Sequence, residues 1–428
     1  MTIDTLRADH LGCYGYPRGT SPFLDGLARR GVLFERAYSS CSHTGPAHAS
    51  LFTGLHPSQH GVRRNGMGFP TGAAGSYRTL AELVAERGYD SAGFSAVAFL
   101  RSVSRGLRSF EGGGRDWQEY AQADVVVDRA IAWLRSRRPG DRFLLFVHLF
   151  DPHVPQRAPE ELLAQFRPAT RADAEALARE AHERRGVAPG FYKDALELAR
   201  EHGAYDAEIR LADRAVGRLF DAAHGAGLLA EGLFLVTADH GEGLGSHSYG
   251  GHGARLYEEQ LRVPLIVYRA GLPPGRRVRG LARHVDIVPT LLDLVGAPFS
   301  QPGFDVPGRS LRPSLEPREG PLSAAEAFAQ RRLGAERRGA GQGETYSLMD
   351  AEGWKFIENA RGPDELYDLG SDPLERRNLL RRSPERAAAL RQAALRVFER
   401  AREEGRRVSP TAPDDSIQDE LRALGYVR

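Results

Sequence analysis

Continuous apolar runs along the chain predict buried β-strands. The clearest runs cover residues 143–150 (FLLFVHLF), 233–236 (LFLV) and 263–268 (VPLIVY), and a weaker run covers residues 92–97. Runs of this kind, in which apolar and polar positions do not alternate, are typical of a parallel sheet that is covered on both faces. The pattern therefore predicts a sheet at the centre of a layered fold.

Helical patterns lie between and around these runs. They cover residues 24–30, 80–87, 124–136 and 205–224, and a glycine directly follows three of them. Glycine is the residue expected just past the last turn of a helix. The alternation of strands and helices predicts an α/β fold with a doubly wound, mostly parallel sheet.

Changes in composition and hydrophobic pattern divide the chain into three parts. Residues 1–300 form the predicted α/β domain, and a charged, alanine-rich stretch at 156–204 is expected to be a helical insertion that covers one side of it. Residues 301–382 combine Pro, Gly and short strand-like pieces, and they predict a small C-terminal α+β subdomain. Residues 383–428 are expected to form a helix, with Ser383 as its N-cap, and a tail.

Composition excludes some classes of protein and leaves the compartment open. With 41% hydrophobic and 27% charged residues, the chain has the composition of an ordinary globular protein, and its net charge of +2 predicts no nucleic-acid partner. No apolar run approaches the ~18 residues that span a bilayer, so we expect no transmembrane segment. Cys13 and Cys41 are too few for a disulfide framework or a cysteine-rich metal site.

The N-terminus carries no recognisable signal peptide, because it lacks a basic region followed by an apolar one. It begins abruptly instead, since Met1, Thr2 and Ile3 read as the last part of a strand that leads into Asp4. This pattern favours the hypothesis that the natural protein starts further upstream and carries an export signal there, as a periplasmic or extracellular protein would.

Carboxylates and imidazoles follow three of the predicted strands. Because ligands bind at the carboxyl ends of the strands in open α/β sheets, these side chains are expected to converge on one edge. Oxygen ligands with one or two imidazoles suit Mn²⁺, Zn²⁺ or Mg²⁺ better than a soft metal. The residues concerned are Asp4, then Asp151 and His153, then Asp239, His240, Glu242, His247 and His252.

A second signal is the segment TGPAHASLFTG at residues 44–54. A Thr followed closely by Pro indicates a helix start, so Thr44 could simply cap that helix. Alternatively, a hydroxyl at a helix N-terminus lies where an anion is stabilised, and a neighbouring metal ion would turn it into a nucleophile. The local pattern alone favours the cap.

Several motifs in order along the chain resemble those of sulfatase-like hydrolases of the alkaline phosphatase superfamily. IDTLRADHLGCYGY at 3–16 resembles their opening segment, and residues 44–54 resemble their nucleophile signature. TADHGEGLGSH and HGARLYEEQLRVPLIVY resemble their second metal segment and its continuation. HVDIVPTLLDLVGAP and ELYDLGSDPLERRNL resemble later landmarks. The resemblance runs from residue 3 to about residue 380, and it makes residues 1–300 the expected catalytic domain.

The resemblance implies roles for individual residues. Thr44 would be the nucleophile, His48 would stabilise charge on the ester, and His153 or His252 would protonate the leaving group. Asn65 resembles a substrate-contacting Asn of the phosphonate monoester hydrolases, and His247 is predicted to contact substrate, with an ordinary loop role as the alternative. The metal ligands implied are Asp4, Thr44, Asp239 and His240.

Two departures from the family pattern change the expected chemistry. Sulfatases convert a Cys or Ser into formylglycine, whereas this chain has Thr44 at that position. Many sulfatases also carry an Asp where this chain has Thr5, and Asp-Asn where it has Asp239 and His240. With one carboxylate fewer and one imidazole more, the site should favour Mn²⁺ or Zn²⁺, while Ca²⁺ and Mg²⁺ remain alternatives.

The sequence therefore predicts a metal-dependent hydrolase of phosphate monoesters, phosphate diesters or phosphonate esters that acts through a covalent Thr44 intermediate. A sulfate ester hydrolase that works without formylglycine is the first alternative. A catalytically inactive relative that binds an anion is the second. The expected partner is an anionic ester, either a small molecule or part of a lipid or polysaccharide, and the sequence predicts no oligomeric state.

Overall fold

A mixed β-sheet forms the centre of the larger part of the molecule. The computed structural model describes residues 1–70, 77–113, 120–316, 326–332, 344–360, 362–424 and 426. Within these residues eight strands pair in the order β4-β3-β5-β1-β6-β7-β2-β8. The strands are β1 (Thr2–Ile3), β2 (Val32–Tyr38), β3 (Asp90–Ser95), β4 (Ser109–Gly112), β5 (Phe143–Leu149), β6 (Leu233–Ala238), β7 (Arg262–Arg269) and β8 (Arg276–Arg283).

The sheet is mostly parallel, as predicted. β7 is the exception, because it runs antiparallel to both of its neighbours, β6 and β2. Its apolar run reads like that of a parallel strand, because five consecutive residues of β7, on both faces of the sheet, are buried. β2 is a strand that the apolar pattern did not predict, and it pairs with β8 in parallel. The predicted fold class is confirmed, and β7 runs opposite to the direction that its apolar run suggested.

Helices cover both faces of the sheet, and their apolar sides merge with it into one core. Helix α1 shows how the sequence sets their limits. Pro22 occupies its first turn, and the helix ends before Gly31, where any Cβ would collide with the carbonyl oxygen of Val267. The helices up to the end of the insertion are α1 (Pro22–Arg30), α2 (Thr44–Thr53), α3 (Pro57–His60), α4 (Leu80–Ala85), α5 (Ala123–Leu134), α6 (Glu160–Phe166), α7 (Arg171–Arg184) and α8 (Ala195–Gly225).

The stretch 156–204 contains α6, α7 and the beginning of α8, so it is helical as expected. The sequence analysis predicted that the helix over residues 205–224, which is α8, starts at residue 205, and this predicted start is wrong. The helix starts at Ala195 because the Asp194 side chain accepts a hydrogen bond from the backbone N–H of Glu197 and caps it there. One continuous helix therefore joins this stretch to the sheet.

A second, antiparallel sheet lies in the C-terminal part, in the order β12-β11-β10-β9. Its strands are β9 (Ala327–Arg332), β10 (Glu344–Met349), β11 (Trp354–Glu358) and β12 (Glu365–Asp368). The predicted subdomain also includes residues 317–325, 333–343 and 361, which lie outside the described residues. The remaining helices are α9 (Glu258–Leu261), α10 (Ile287–Leu294), α11 (Arg312–Leu315), α12 (Pro384–Gly405) and α13 (Asp415–Ala423).

The last two helices lie on different parts of the molecule. α12 begins directly after Ser383, as predicted, and its apolar side packs on the second sheet through Leu390, Ala394 and Phe398. α13, which the sequence analysis did not predict, packs instead into the core of the larger sheet. Among the helices that the structure describes, none has the length and apolar character needed to cross a membrane.

Candidate active site and metal centre

Two neighbouring parallel strands deliver the carboxylates of the site. Ile3 of β1 lies beside Ala238 of β6, so the residues that follow them, Asp4 and Asp239, leave the sheet side by side. His240 comes next, and all three of these side chains are completely buried. Ligand atoms of Asp4, Asp239 and His240 lie within 4.8 Å of one another. The predicted convergence of strand-end residues is thus present in the structure.

Helix α2 brings the Thr44 hydroxyl to this group. The N-cap position is occupied by His43 and Thr44 is the first residue of the helix, so the alternative in which Thr44 merely caps the helix is wrong. The hydroxyl oxygen of Thr44 lies 3.3 Å from Nε2 of His240. Thr44 therefore stands at a helix N-terminus with its side chain directed at the carboxylate and imidazole group.

His240 is oriented as a metal-binding imidazole. Its Nδ1 donates a hydrogen bond to the carbonyl oxygen of Gly241 at 2.9 Å, which leaves the lone pair of Nε2 free. Nε2 lies 3.5 Å from Oδ2 of Asp239 and 4.0 Å from Oδ1 of Asp4. Both of these carboxylate oxygens are buried, and neither has a hydrogen-bond partner among the described residues. Unpartnered buried oxygens beside a free imidazole lone pair fit a divalent cation.

The electrostatics of the group lead to the same conclusion. Burial raises the pKa of Asp4 well above its usual range, and the nearby charges of Asp239 and Glu242 raise it further. Burial also raises the pKa of Asp239 to about 7 and lowers that of His240 well below its usual value. Two buried carboxylates whose ligand atoms lie within 4.8 Å of each other are unfavourable as a pair of anions, and a bound cation removes that cost.

Thr5 holds Asp239 in place through its backbone. Its φ is +53°, a left-handed conformation that costs about 1–2 kcal/mol for a residue with a β-carbon. The conformation lets the backbone N–H of Thr5 donate to Oδ1 of Asp239 at 3.2 Å. Tyr205 of α8 stabilises the turn, because its hydroxyl donates to the carbonyl oxygen of Thr5 at 2.7 Å. Thr5, where the sequence analysis noted a departure from the family pattern, thus orients the Asp239 carboxylate through its backbone.

His48 has a different environment from the one that its predicted role requires. Its Nδ1 donates to the carbonyl oxygen of Thr44 at 2.8 Å, and its Nε2 accepts from the Thr2 hydroxyl at 2.8 Å. Burial lowers the pKa of His48 to about 4, so the ring is neutral at physiological pH. These contacts anchor the first turn of α2 to β1, and they do not support the predicted role of His48 in stabilising charge on the ester.

His153 and His252 lie together beside the candidate metal ligands, with ring centroids 4.9 Å apart. Their hydrogen bonds differ. Nδ1 of His153 donates to the carbonyl oxygen of Val154, so Nε2 of the neutral ring is an acceptor. Nδ1 of His252 lies 3.1 Å from Oε2 of Glu242, and the ring stacks on His240. Burial lowers the pKa of His252, but the charge and hydrogen bond of Glu242 outweigh this effect and raise it overall.

Asn65 lies directly beside the start of α2. Its Oδ1 accepts a hydrogen bond from the backbone N–H of Gly45 at 2.7 Å. Its Nδ2 is buried and has no hydrogen-bond partner among the residues that the structure describes. A side chain at Gly45 would press against Asn65, since a Cβ there would lie 3.2 Å from its Cα. The structure thus brings Asn65 to the start of α2, and its contact with substrate stays a prediction.

His247 has no described contact with the group around Thr44. Its Nδ1 lies 3.0 Å from Oε1 of Glu259, and its Nε2 lies 3.2 Å from the carbonyl oxygen of Glu375. The ring also stacks on Tyr257 at 3.7 Å between centroids. With both ring nitrogens engaged, His247 links the 241–253 loop to the C-terminal part of the chain, so the predicted substrate contact is not supported by these interactions.

Three further residues lie at the site to which the sequence analysis gave no individual role. Glu242, one of the strand-end residues expected there, lies within the second metal segment and holds His252. His148 lies inside the apolar run of β5, and a polar residue within such a run could have indicated a functional position. Its Nε2 lies 3.3 Å from Oδ2 of Asp4. The third is Tyr426, whose hydroxyl lies 2.8 Å from Nε2 of His153. A tyrosine so far along the chain gives no sequence signal of its own.

This fold and site define a class of enzyme. A mostly parallel α/β sheet with a hydroxyl at a helix start, two strand-end carboxylates and an imidazole is the arrangement of sulfatase-like and alkaline-phosphatase-like ester hydrolases. The model of the family described as Sulfatase matches residues 1–297 of this chain, and the chain belongs to that family. It is a hydrolase that acts on sulfuric, phosphoric or phosphonic ester bonds.

Individual relatives span nearly the same length. The chain is 26% identical to the uncharacterized sulfatase YidJ of Escherichia coli over 89% of this chain and 82% of that protein. It is 25% identical to an arylsulfatase of Clostridium perfringens over 95% and 94%. The phosphonate monoester hydrolase of Agrobacterium radiobacter has a similar structure, with a TM-score of 0.73 at 22% identity over 94% and 95% of the two chains.

Proposed function

We propose that this protein is a metal-dependent hydrolase of phosphate or phosphonate esters and that Thr44 forms the covalent intermediate. The observation that carries the proposal is the hydroxyl of Thr44 at 3.3 Å from Nε2 of His240, beside the unpartnered oxygens of Asp4 and Asp239. Relatives that act on sulfate and relatives that act on phosphonate are both similar to this chain. The choice between these esters therefore rests on the chemistry of Thr44.

The metal ligands in this proposal are Asp4, Asp239, His240 and the Thr44 hydroxyl. A divalent ion held there lowers the pKa of the hydroxyl and neutralises negative charge on the ester oxygens. Two carboxylates with one imidazole favour Mn²⁺ or Zn²⁺, whereas a site with more carboxylates would favour Ca²⁺. Thr5 supplies no carboxylate to this set, which supports the same preference.

In the first step Oγ1 of Thr44 attacks phosphorus and the bond to the leaving-group oxygen breaks. The hydroxyl proton of Thr44 passes to solvent. His252 is the residue that we assign to protonate the leaving group, because Glu242 stabilises its protonated form. His153 is less suited to this task, since its only ring proton is held by the Val154 carbonyl. The hydrogen bonds thus favour one of the two histidines that the sequence left as alternatives.

In the second step water attacks phosphorus, the bond to Oγ1 breaks, and Thr44 regains its proton. This exit is available to a phosphorylated or phosphonylated threonine. A sulfated formylglycine hydrate releases sulfate by collapsing to the aldehyde, and threonine has no equivalent route. The side chain at residue 44 therefore favours attack at phosphorus over attack at sulfur.

The test is turnover of a small aryl panel by the full chain reconstituted with Mn²⁺, Zn²⁺, Mg²⁺ or Ca²⁺. The panel contains a phosphate monoester, a phosphate diester, a phosphonate monoester and a sulfate ester. We expect phosphoryl or phosphonyl turnover that Thr44→Ala abolishes and Thr44→Ser retains in part. Thr53→Ala is the matched control, because its hydroxyl lies in the same helix but donates to the carbonyl oxygen of Ala49.

Sulfate as the preferred substrate of the wild type would overturn the preference for phosphorus. Full activity in Thr44→Ala would overturn the covalent step. No turnover with any of the four metals would leave an anion-binding relative as the better description of the protein.

A further inference from the structure

The C-terminal helix α13 is built into the core of the larger sheet. Ile417 and Leu421 are buried in that core, and Asp414 caps the helix by accepting from the backbone N–H of Ile417. Glu420 is also buried, and its Oε1 accepts from the backbone N–H of Ala98 at 2.6 Å. The helix is therefore held by apolar burial and by a hydrogen bond to the segment that follows β3.

The C-terminal segment that contains Thr411 and α13 also packs on the loop that carries Asn65. A Cβ at Gly66 would come within 2.5 Å of the Leu421 side chain and 3.1 Å of the Ile417 side chain, so α13 packs directly on the backbone of Gly66. Gly68 and Thr411 form a pair of backbone hydrogen bonds of 3.0 Å each. The C-terminal segment and the 65–69 loop thus form one wall beside the N-terminus of α2.

Tyr426 extends from this wall into the active site. Its hydroxyl lies 2.8 Å from Nε2 of His153, and the Thr44 side chain is near enough to influence the pKa of Tyr426. Its ring packs edge-on against Phe99 at 5.8 Å between centroids and lies 6.2 Å from the His252 ring. Burial raises the pKa of the Tyr426 hydroxyl well above its ordinary value, so the hydroxyl keeps its proton at neutral pH.

Among the residues that the structure describes, Nε2 of His153 is the hydrogen-bond partner of this hydroxyl. Nδ1 of His153 donates to the Val154 carbonyl, so Nε2 has a lone pair that accepts from Tyr426. An anionic ester seated over Thr44 would place charged oxygens in the same space. Because charge-assisted hydrogen bonds are stronger than neutral ones, rotation of the O–H bond towards such an oxygen is favourable.

We propose that Tyr426 is a substrate-binding residue whose hydroxyl donates a hydrogen bond to an oxygen of the anionic ester over Thr44. The assignment rests on the proposed function, because it takes the ester to be attacked by Thr44. It makes the C-terminal segment a wall of the catalytic pocket. The alternative, a plug that must leave before substrate enters, fits less well with the burial of Ile417 and Leu421 in the core.

The test compares wild type with Tyr426→Phe in the full, metal-loaded chain. Phenylalanine keeps the ring contact with Phe99 and removes only the hydroxyl. Tyr346→Phe is the matched control, because it deletes another buried tyrosine hydroxyl, one that donates to Glu358 on the second sheet. Two quantities are measured: kcat/KM on the best aryl ester of the panel, and the Kd of inorganic phosphate by calorimetry.

We expect Tyr426→Phe to lower kcat/KM and to weaken phosphate binding, each by roughly 10- to 100-fold, the range for a lost hydrogen bond to a charged group. Tyr346→Phe should leave both unchanged. Unaltered values in Tyr426→Phe would overturn the proposal, and increased values would show that the tyrosine blocks the site.

Phosphate binding keeps the two proposals distinguishable. If wild type binds phosphate but does not turn over the panel, the proposed function fails. The comparison of wild type with Tyr426→Phe in phosphate binding still tests the proposal for Tyr426. Absence of phosphate binding in wild type would overturn the Tyr426 proposal as well.

Discussion

His252 and His153 show how hydrogen-bond partners divide work between two neighbouring side chains. Both are imidazoles at the same pocket, with centroids 4.9 Å apart. A carboxylate partner favours the protonated ring of His252, whereas a carbonyl on Nδ1 and a hydroxyl on Nε2 fix His153 as neutral. Sequence motifs locate both residues but do not show what holds them, so the assignment of the acid depends on the structure.

A substitution of His252 should therefore depend on the leaving group. Without the acid, esters with poor alkyl leaving groups should lose about 10²- to 10⁴-fold in kcat, whereas a 4-nitrophenyl ester, which leaves without protonation, should lose far less. The measurement is kcat for His252→Gln on a leaving-group series. His247→Gln is the control, since that ring is engaged by Glu259 and Glu375. An equal loss on every ester would contradict the acid role.

At the scale of elements, the docking of α13 contains a group that is sensitive to pH. Burial raises the pKa of Glu420 to about 7 from an ordinary value of 4.5, although backbone N–H groups of Ala98 and Phe99 counteract the shift. Because the folded-state pKa is raised, the folded form retains a proton that the unfolded form loses. The stability contributed by this group is present below pH 4.5 and is lost as the pH rises to about 7.

Protection of the α13 amides against hydrogen exchange should accordingly decrease between pH 4.5 and pH 7, after correction for intrinsic exchange. The shift corresponds to on the order of 3 kcal/mol if the helix alone detaches. Glu420→Gln keeps the acceptor oxygen and removes the charge, so its protection should stay level over that range. Asp419→Asn, at an exposed position of the same helix, should behave like wild type. A flat profile in wild type would exclude the mechanism.

For the whole molecule, the sequence predicts the parts of the site that depend on strand ends. The strand-end rule placed Asp4, Asp239 and His240 among eight candidates at one edge of the sheet. The resemblance to sulfatase-like hydrolases then singled out these three as metal ligands. The environment of His48 was not found, because which atoms face a side chain depends on packing. Tyr426 was missed for a related reason: it follows a short helix whose docking on the 65–69 loop has no signature in the local pattern.

Occupation of the predicted metal site should stabilise the entire fold, since Asp4 and Asp239 lie on adjacent central strands. Chelation is expected to lower the melting temperature, and readdition of Mn²⁺ or Zn²⁺ to restore it. At an ion concentration 100 times Kd, the gain is about 2.7 kcal/mol. Asp4→Asn relieves the carboxylate pair, so this variant should respond little to metal and should melt no lower than metal-free wild type. Identical melting of wild type with and without metal would contradict the site.

Contacts between distant parts of the sequence assemble this pocket. Thr5 meets Asp239, 234 residues away, and Tyr426 meets His153, 273 residues away. Closing loops of that length is slow compared with the formation of single helices or hairpins. Catalytic activity should therefore report complete folding. A chain that has formed its secondary structure but not these long-range contacts has no pocket, so only fully folded molecules can be active.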